Sequence, residues 1–323
     1  MRPLLSSNVM SFPPTRLNVG RRIVLSALAT SLVCWSSAWG QTPAKPTSTD
    51  TTLSTKDGQE IKITYFKSSA GQDAPVVVLL HGKGGNRLVW KQFAEQLQKV
   101  DFAVITVDLR GHGESSGGGG VGNSGGGTAK KPDSGPKKGE YLGMVAGDLE
   151  AVKKFLYEEH QNKQLNMNKL GIVGADMSAP VAIAFAELDW EKTPYDDAPT
   201  PAQRTPRGQD VQALALLSPE GTAPGLLTTK SLAILRNLKV PFLISVGSKN
   251  SSDLAAAKKT HEVLAPKKEG YEHIYMEQYD SKLRGTDLLG KNLKTEVHLF
   301  NFLVKHVKEH KSEWRDRKSK LLD

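Results

Sequence analysis

Apolar positions along this chain fall into two periods, and the alternation between them predicts most of the fold. Residues 52–66 alternate apolar and polar around Lys56-Asp57-Gly58, the pattern of a β-hairpin closed by a glycine turn. Residues 75–80 and 102–107 are instead unbroken apolar runs, as expected of strands buried on both faces of a parallel sheet. Between them Leu88, Trp90, Phe93, Leu97 and Val100 recur at helical spacing and predict one apolar helix face. A helix over 141–159, a strand over 169–173 and a helix over 178–188 repeat the alternation. Strands over 211–217, 241–246 and 273–278 and a last helix from about 294 to 307 complete it. Strands alternating with helices predict the α/β class, with one doubly wound, mostly parallel sheet. Residues 219–239 are too few for a separate cap domain between two strands.

Two segments interrupt the pattern. Residues 116–139 hold ten glycines together with Lys130, Lys131, Lys137 and Lys138, a composition that forms a flexible loop and no core. It reads as a basic arm beside the mouth of a site or as a passive insertion, and the small cost of loop length favours the insertion. Residues 193–208 carry four prolines and mixed charge and read as a passive surface loop.

The first forty residues belong to neither pattern. Arg16, Arg21 and Arg22 precede an apolar run over 23–35 and then Ala38-Trp39-Gly40, the three parts of a secretory signal peptide cut before Gln41. The run is too short for an ordinary membrane span, which weighs against an uncleaved anchor. The residues around Arg21-Arg22 fit a twin-arginine signal poorly, and Ser31-Leu32-Val33 lacks the small residues of a lipoprotein site at Cys34. A signal over 1–40 is therefore expected, then a Pro/Ser/Thr linker over 41–51, one domain over 52–308 and a basic tail over 309–323. The protein is expected to be secreted or periplasmic, with no membrane span after cleavage.

Removing the signal takes away four arginines and the single cysteine, so the net charge falls from +9 to +5 and no disulfide can form within the chain. A mild, dispersed positive charge is no argument for nucleic-acid binding. No metal-ligand spacing, phosphate loop or nucleotide fingerprint appears, so neither metal nor cofactor is expected. The tail around Lys305, Lys308, Lys311, Arg315 and Arg317 reads as a solvated, fraying helix end, with docking on an acidic surface as the other reading.

Three turns carry the candidate chemistry. The strand over 75–80 ends in His81-Gly82, the next ends in Asp108-Leu109-Arg110-Gly111-His112-Gly113-Glu114-Ser115, and Gly174-Ala175-Asp176-Met177-Ser178 joins a strand to a helix. Together they resemble the α/β-hydrolase superfamily, nearest to small serine esterases and serine-aminopeptidase-like hydrolases, over residues 55–308. The resemblance implies an HG oxyanion loop at His81-Gly82 and a DxRGHGxS turn at 108–115. It also implies a Gly-x-Ser-x-Gly nucleophile elbow at 174–178. Leu217-Ser218-Pro219 and Gly285-Thr286-Asp287-Leu288-Leu289 resemble segments that flank such a site.

The residues at the implied triad positions are not those of a serine hydrolase. Asp176 stands at the serine, Asn250 at the acid and Arg284 at the histidine. The triad needs a hydroxyl, an imidazole to take its proton and a group that holds the imidazole. Asp176 has no proton to give when ionised, and a guanidinium cannot act as a base. The expectation is an ion pair between Asp176 and Arg284 across the old site, with Asn250 free to accept from the arginine. By the same resemblance the backbone amides of Lys83 and Met177 would be the oxyanion donors.

The function expected is therefore binding or structural, by a degenerate hydrolase, with an unknown ligand or small molecule in the cleft. The alternative is an active hydrolase of esters or amides, or one using Asp176 as nucleophile in the manner of epoxide hydrolases and haloalkane dehalogenases. Those enzymes keep the histidine and a cap, and this chain matches them in neither respect. Ser178 and Ser218 fall off the elbow tip. Asp176 also has a plain structural reading as the N-cap of the helix that follows it.

Overall fold

The computed structural model describes residues 47–116, 136–266 and 272–322. The expected signal peptide and most of the glycine-rich segment lie outside the described residues. Eight strands form one sheet: β1 (Ser48–Ser54), β2 (Glu60–Phe66), β3 (Val76–Leu80), β4 (Ala103–Val107), β5 (Leu170–Ala175), β6 (Val211–Leu217), β7 (Phe242–Gly247) and β8 (Ile274–Tyr279), in the spatial order β1-β2-β4-β3-β5-β6-β7-β8. β4, β3, β5, β6, β7 and β8 run parallel, and the β1–β2 hairpin is the antiparallel edge.

Helices cover both faces: α1 (Lys91–Gln98), α2 (Lys138–Gly143), α3 (Leu149–Gln161), α4 (Ser178–Glu191), α5 (Thr228–Asn237), α6 (Ser251–Leu264) and α7 (Thr295–Leu303). The two cores explain the unbroken apolar runs. Val76, Val78 and Leu80 of β3 pack into one core, while Val77 and Leu79 pack into the other beneath Trp90, Phe93 and Phe302. Both sides of such a strand must be apolar, and each fully buried Val or Leu contributes about 1.5–3 kcal/mol. The sequence-predicted doubly wound sheet is the sheet observed.

Local differences have local causes. β1 begins at Ser48, inside the segment expected to be linker, because the threonine-rich stretch pairs its backbone along β2. Residues 87–90 form a tight three-residue-per-turn helix capped by the Asn86 side chain, which shifts the helical phase. Leu88, expected on the buried face, is 58% exposed in consequence. The helix expected over 141–159 is interrupted by a wider π-turn at Met144–Asp148, and the one expected over 294–307 ends in another at Val304–Lys308. Lys138, at the end of the glycine-rich segment, already opens α2.

The C-terminal tail is the larger correction. It was expected to be a solvated helix end, yet residues 309–319 are non-helical and strapped to the body. Asn166 and Asn168 donate to the carbonyls of Ser312 and Glu313, and the Trp314 indole donates to the His160 carbonyl while stacking on that ring. Arg317 is 3% exposed and grips Asp210 with both terminal nitrogens. Asp210 and Asp189 in turn hold Lys153. A buried carboxylate left without a partner is costly, so Asp210 fixes the Arg317 guanidinium in a bidentate pair, and charge patterning along the chain cannot reveal this.

Candidate active site

Buried polar groups hold the turns that carry the site. Asp108, at the carboxyl end of β4, accepts from the Arg87 amide at 2.5 Å, the Arg87 guanidinium at 2.5 Å and the Glu114 amide at 3.0 Å. Gly113 has φ +50°, and a Cβ there would overlap the Asp108 carboxylate, so this glycine is required. Arg110 spans from Asp148 to Asp57. His81 sets the loop after β3: its Nδ1 lies 2.8 Å from the Gly82 carbonyl and its Nε2 accepts from the Leu109 amide. Burial holds the His81 ring neutral, with its pKa lowered to about 4. The motif over 108–115 is thus a scaffold for the loops.

Between β5 and α4 the chain makes a sharp elbow with Asp176 at its tip, in the left-handed region at φ +48°. Few non-glycine residues hold that conformation without surrounding constraint. Here Leu217 O accepts from the Asp176 amide, and the Asp176 carbonyl accepts from Ala179 N. A Cβ on Gly174 would lie 2.9 Å from Ala179 Cα, so position 174 must stay small. Ser178 turns its hydroxyl inward, accepting from Ala175 N at 2.8 Å and donating to Ala175 O at 2.9 Å. It is a turn-closing group, away from the tip.

Asp176 does not cap α4. Met177 is the N-cap residue, and no side chain makes the capping bond. The Asp176 carboxylate turns instead into a gap between Gly82 and Gly285, where a Cβ on either glycine would overlap it. Arg284, on the loop after β8, brings Nε to 3.1 Å from Asp176 Oδ1 and 3.4 Å from Asp253 Oδ2, with a terminal nitrogen 3.9 Å from Glu220 Oε1. The structure therefore brings Asp176 and Arg284 together. Their contact is close but misaligned, because neither Asp176 Oδ1 nor Arg284 Nε makes a hydrogen bond although both atoms are buried. Proximity supplies attraction here without the directional bond that would repay desolvation.

Asn250 sits elsewhere than expected. It caps α6, with Oδ1 accepting from the Asp253 amide at 3.3 Å and Nδ2 donating to Asp253 Oδ2 at 2.8 Å. No bond joins it to Arg284. Asp253 is the acid that faces the arginine, three residues beyond the position the resemblance implied. An N-cap Asn followed three residues later by an acid is a helix-start signature, and that pattern could have located Asp253. Glu220, just past the Ser218-Pro219 pair, also escaped sequence reasoning; it accepts from the Tyr141 hydroxyl at 3.3 Å. Lys83 follows Gly82 in the HG loop, and Met177 is fully buried under the elbow.

Burial pushes the Asp176 pKa up to about 6 against the opposing pull of Arg284, with Glu220, Asp253 and Asp287 adding to the rise. Asp176 is 6% exposed, so desolvation outweighs a single half-exposed guanidinium. Among the described residues no histidine pairs with Asp176, and the one histidine–carboxylate pair joins His298 to Glu277. Among them too, no three His, Cys, Asp or Glu side chains are grouped to hold a metal ion, and no helix is long and apolar enough to cross a membrane.

Sheet order, helices on both faces and a strand–elbow–helix turn at the carboxyl end of β5 define an α/β-hydrolase fold, and comparison with known proteins agrees. The family model for the alpha/beta hydrolase fold matches residues 75–194. A solved esterase of Pyrococcus furiosus is 15% identical with a TM-score of 0.52, covering 81% of this chain and 94% of that one. A solved α/β hydrolase from a Penicillium strain is 13% identical with a TM-score of 0.53, covering 81% of this chain and 99% of that one. Among curated proteins, the bovine (Bos taurus) protein phosphatase methylesterase 1 is 40% identical over 55 residues, 17% of this chain and 14% of that protein. The match thus spans a small part of that relative's length. The chain has the α/β-hydrolase fold.

Proposed function

We propose that this is an exported α/β-hydrolase-fold protein that has given up serine-hydrolase chemistry for a binding or structural role. The observation that carries the reading is the Asp176–Arg284 pair. A carboxylate stands where a nucleophilic hydroxyl is needed, and a permanent cation stands where a base is needed. The carboxylate also fills the gap between Gly82 and Gly285, beside the loop whose amides would receive an acyl oxygen. Its misaligned approach to the arginine argues against a site tuned for proton transfer. The solved esterase and hydrolase neighbours share the fold, and a shared fold does not transfer activity. Export rests on the first forty residues, and mass spectrometry of the secreted or periplasmic product should find Gln41 at its N-terminus.

The test of chemistry is turnover of short acyl esters, an epoxide and a haloalkane by the purified mature chain, with Asp176→Ala alongside. No turnover by either protein, with the fold intact by circular dichroism, is the expected result. Turnover by the wild type that vanishes in Asp176→Ala would make Asp176 a nucleophile and overturn the proposal.

A further inference from the structure

A cleft of about 760 Å³ runs along α3, away from the elbow. It extends from the β1–β2 turn at Ser54, Thr55 and Lys56 to Met167, near the amino end of β5, whereas Asp176 stands beyond the carboxyl end of that strand. The 193–208 loop supplies another wall through Tyr195, Pro206 and Arg207, and the C-terminal strap reaches the cleft with Arg317. None of the residues around Asp176 lines it.

Its charge is one-sided. Lys56, Lys153, Lys154, Lys192, Arg207 and Arg317 line the cleft against the single carboxylate Glu150. Glu150 is taken by Lys192 at 2.5 Å, and the buried Asp189 and Asp210 behind the lining offset Lys153 and Arg317. Lys56, Lys154 and Arg207 then remain with no carboxylate partner among the described residues, and they set the sign of the field. Arg207 is steadied by the Tyr195 ring, 5.0 Å from its guanidinium carbon. Arg317, 3% exposed, keeps an unpartnered buried Nε although its terminal nitrogens are engaged. Cations of one sign around a concavity concentrate anions within it.

Shape selects the kind of anion. A volume of this size falls in the range of small-molecule sites, roughly 300–1,000 Å³, and is a concavity rather than a flat polymer track. Ala151, Tyr157 and Met167 give it an apolar side suited to an organic body. We propose that this cleft binds a small organic phosphate or sulfate ester, its anionic group held by Lys56, Lys154 and Arg207 and its body lying toward Tyr157 and Met167. The prolines of the 193–208 loop, passive by sequence, then serve to hold Tyr195 and Arg207 in place.

Isothermal titration of the mature chain with 4-nitrophenyl phosphate, 4-nitrophenyl sulfate and inorganic phosphate tests this. One of the two esters should bind saturably and more tightly than inorganic phosphate, and which one does so identifies the anion. Lys154→Gln/Arg207→Gln should weaken that ester by about tenfold or more, while Lys230→Gln/Lys258→Gln, with the same charge change elsewhere, should stay within about twofold. All four side chains carry surface charges, so the variants should fold. Absence of saturable binding, indifference to the first pair of substitutions, or equal loss from the second would overturn the proposal.

Discussion

Replacing Asp176 by Asn turns the competition at the elbow into a measurable stability. The amide has the size of the carboxyl and carries no charge at any pH. In the folded protein the Asp176 pKa lies near 6, against an ordinary value of 3.8. A raised acid pKa means that the native state holds its proton more tightly than the unfolded chain does. The carboxyl's stabilising contribution is therefore complete below about pH 3.8 and lost as pH rises through about 6. A shift of about 2 pKa units corresponds to ~3 kcal/mol. The group is nearly sealed from solvent, so screening removes little of this. Urea unfolding of wild type and Asp176→Asn across pH 3.5–8, checked by two probes for a single transition, should show nearly equal stability at the acid end. At pH 8 the variant should be the more stable by an amount of that order. A variant less stable than wild type at pH 8 would mean that Arg284 stabilises the carboxylate by more than burial penalises it. A difference that does not change with pH would refute the assignment of the shift to Asp176.

Two further substitutions probe what holds the site and the strap. Gly285→Ala should cost about 1–2 kcal/mol for a side chain at φ +51°, plus the overlap of its Cβ with the Asp176 carboxylate. In an Asp176→Ala background only the backbone part should remain, and an unchanged cost in that cycle would remove Asp176 from the gap. Arg317→Ala should destabilise the fold by about 3 kcal/mol, because it leaves Asp210 and Asp189 sharing Lys153 alone in a buried setting. A loss below about 1 kcal/mol in urea unfolding would return the tail to a solvated segment.

Much of the architecture was legible because it depends on short-range pattern. Runs buried on both faces, such as Val76 to Leu80, can serve only in a sheet covered on both sides, and the elbow is marked by small residues at 174 and 175. Asp176 and Arg284 were legible as a pair because each occupies a position that a resemblance ties to the other. Asp253 was not, because its role comes from the turn of α6 and the Asn250 cap that aim it at the arginine.

By itself, then, the sequence determined the alternation of elements and the sheet's buried strands, since these follow from residue identity and spacing. The tertiary structure decided which charges meet. It seated Asp176 between two glycines with Oδ1 making no hydrogen bond, turned Asp253 rather than Asn250 toward Arg284, and drew Arg317 from a basic tail onto Asp210. It also gathered Lys56, Lys154 and Arg207 from three separate segments around one cleft. Charge interactions act through space with a strength set by burial, and neither distance nor burial is written in the order of residues along a chain.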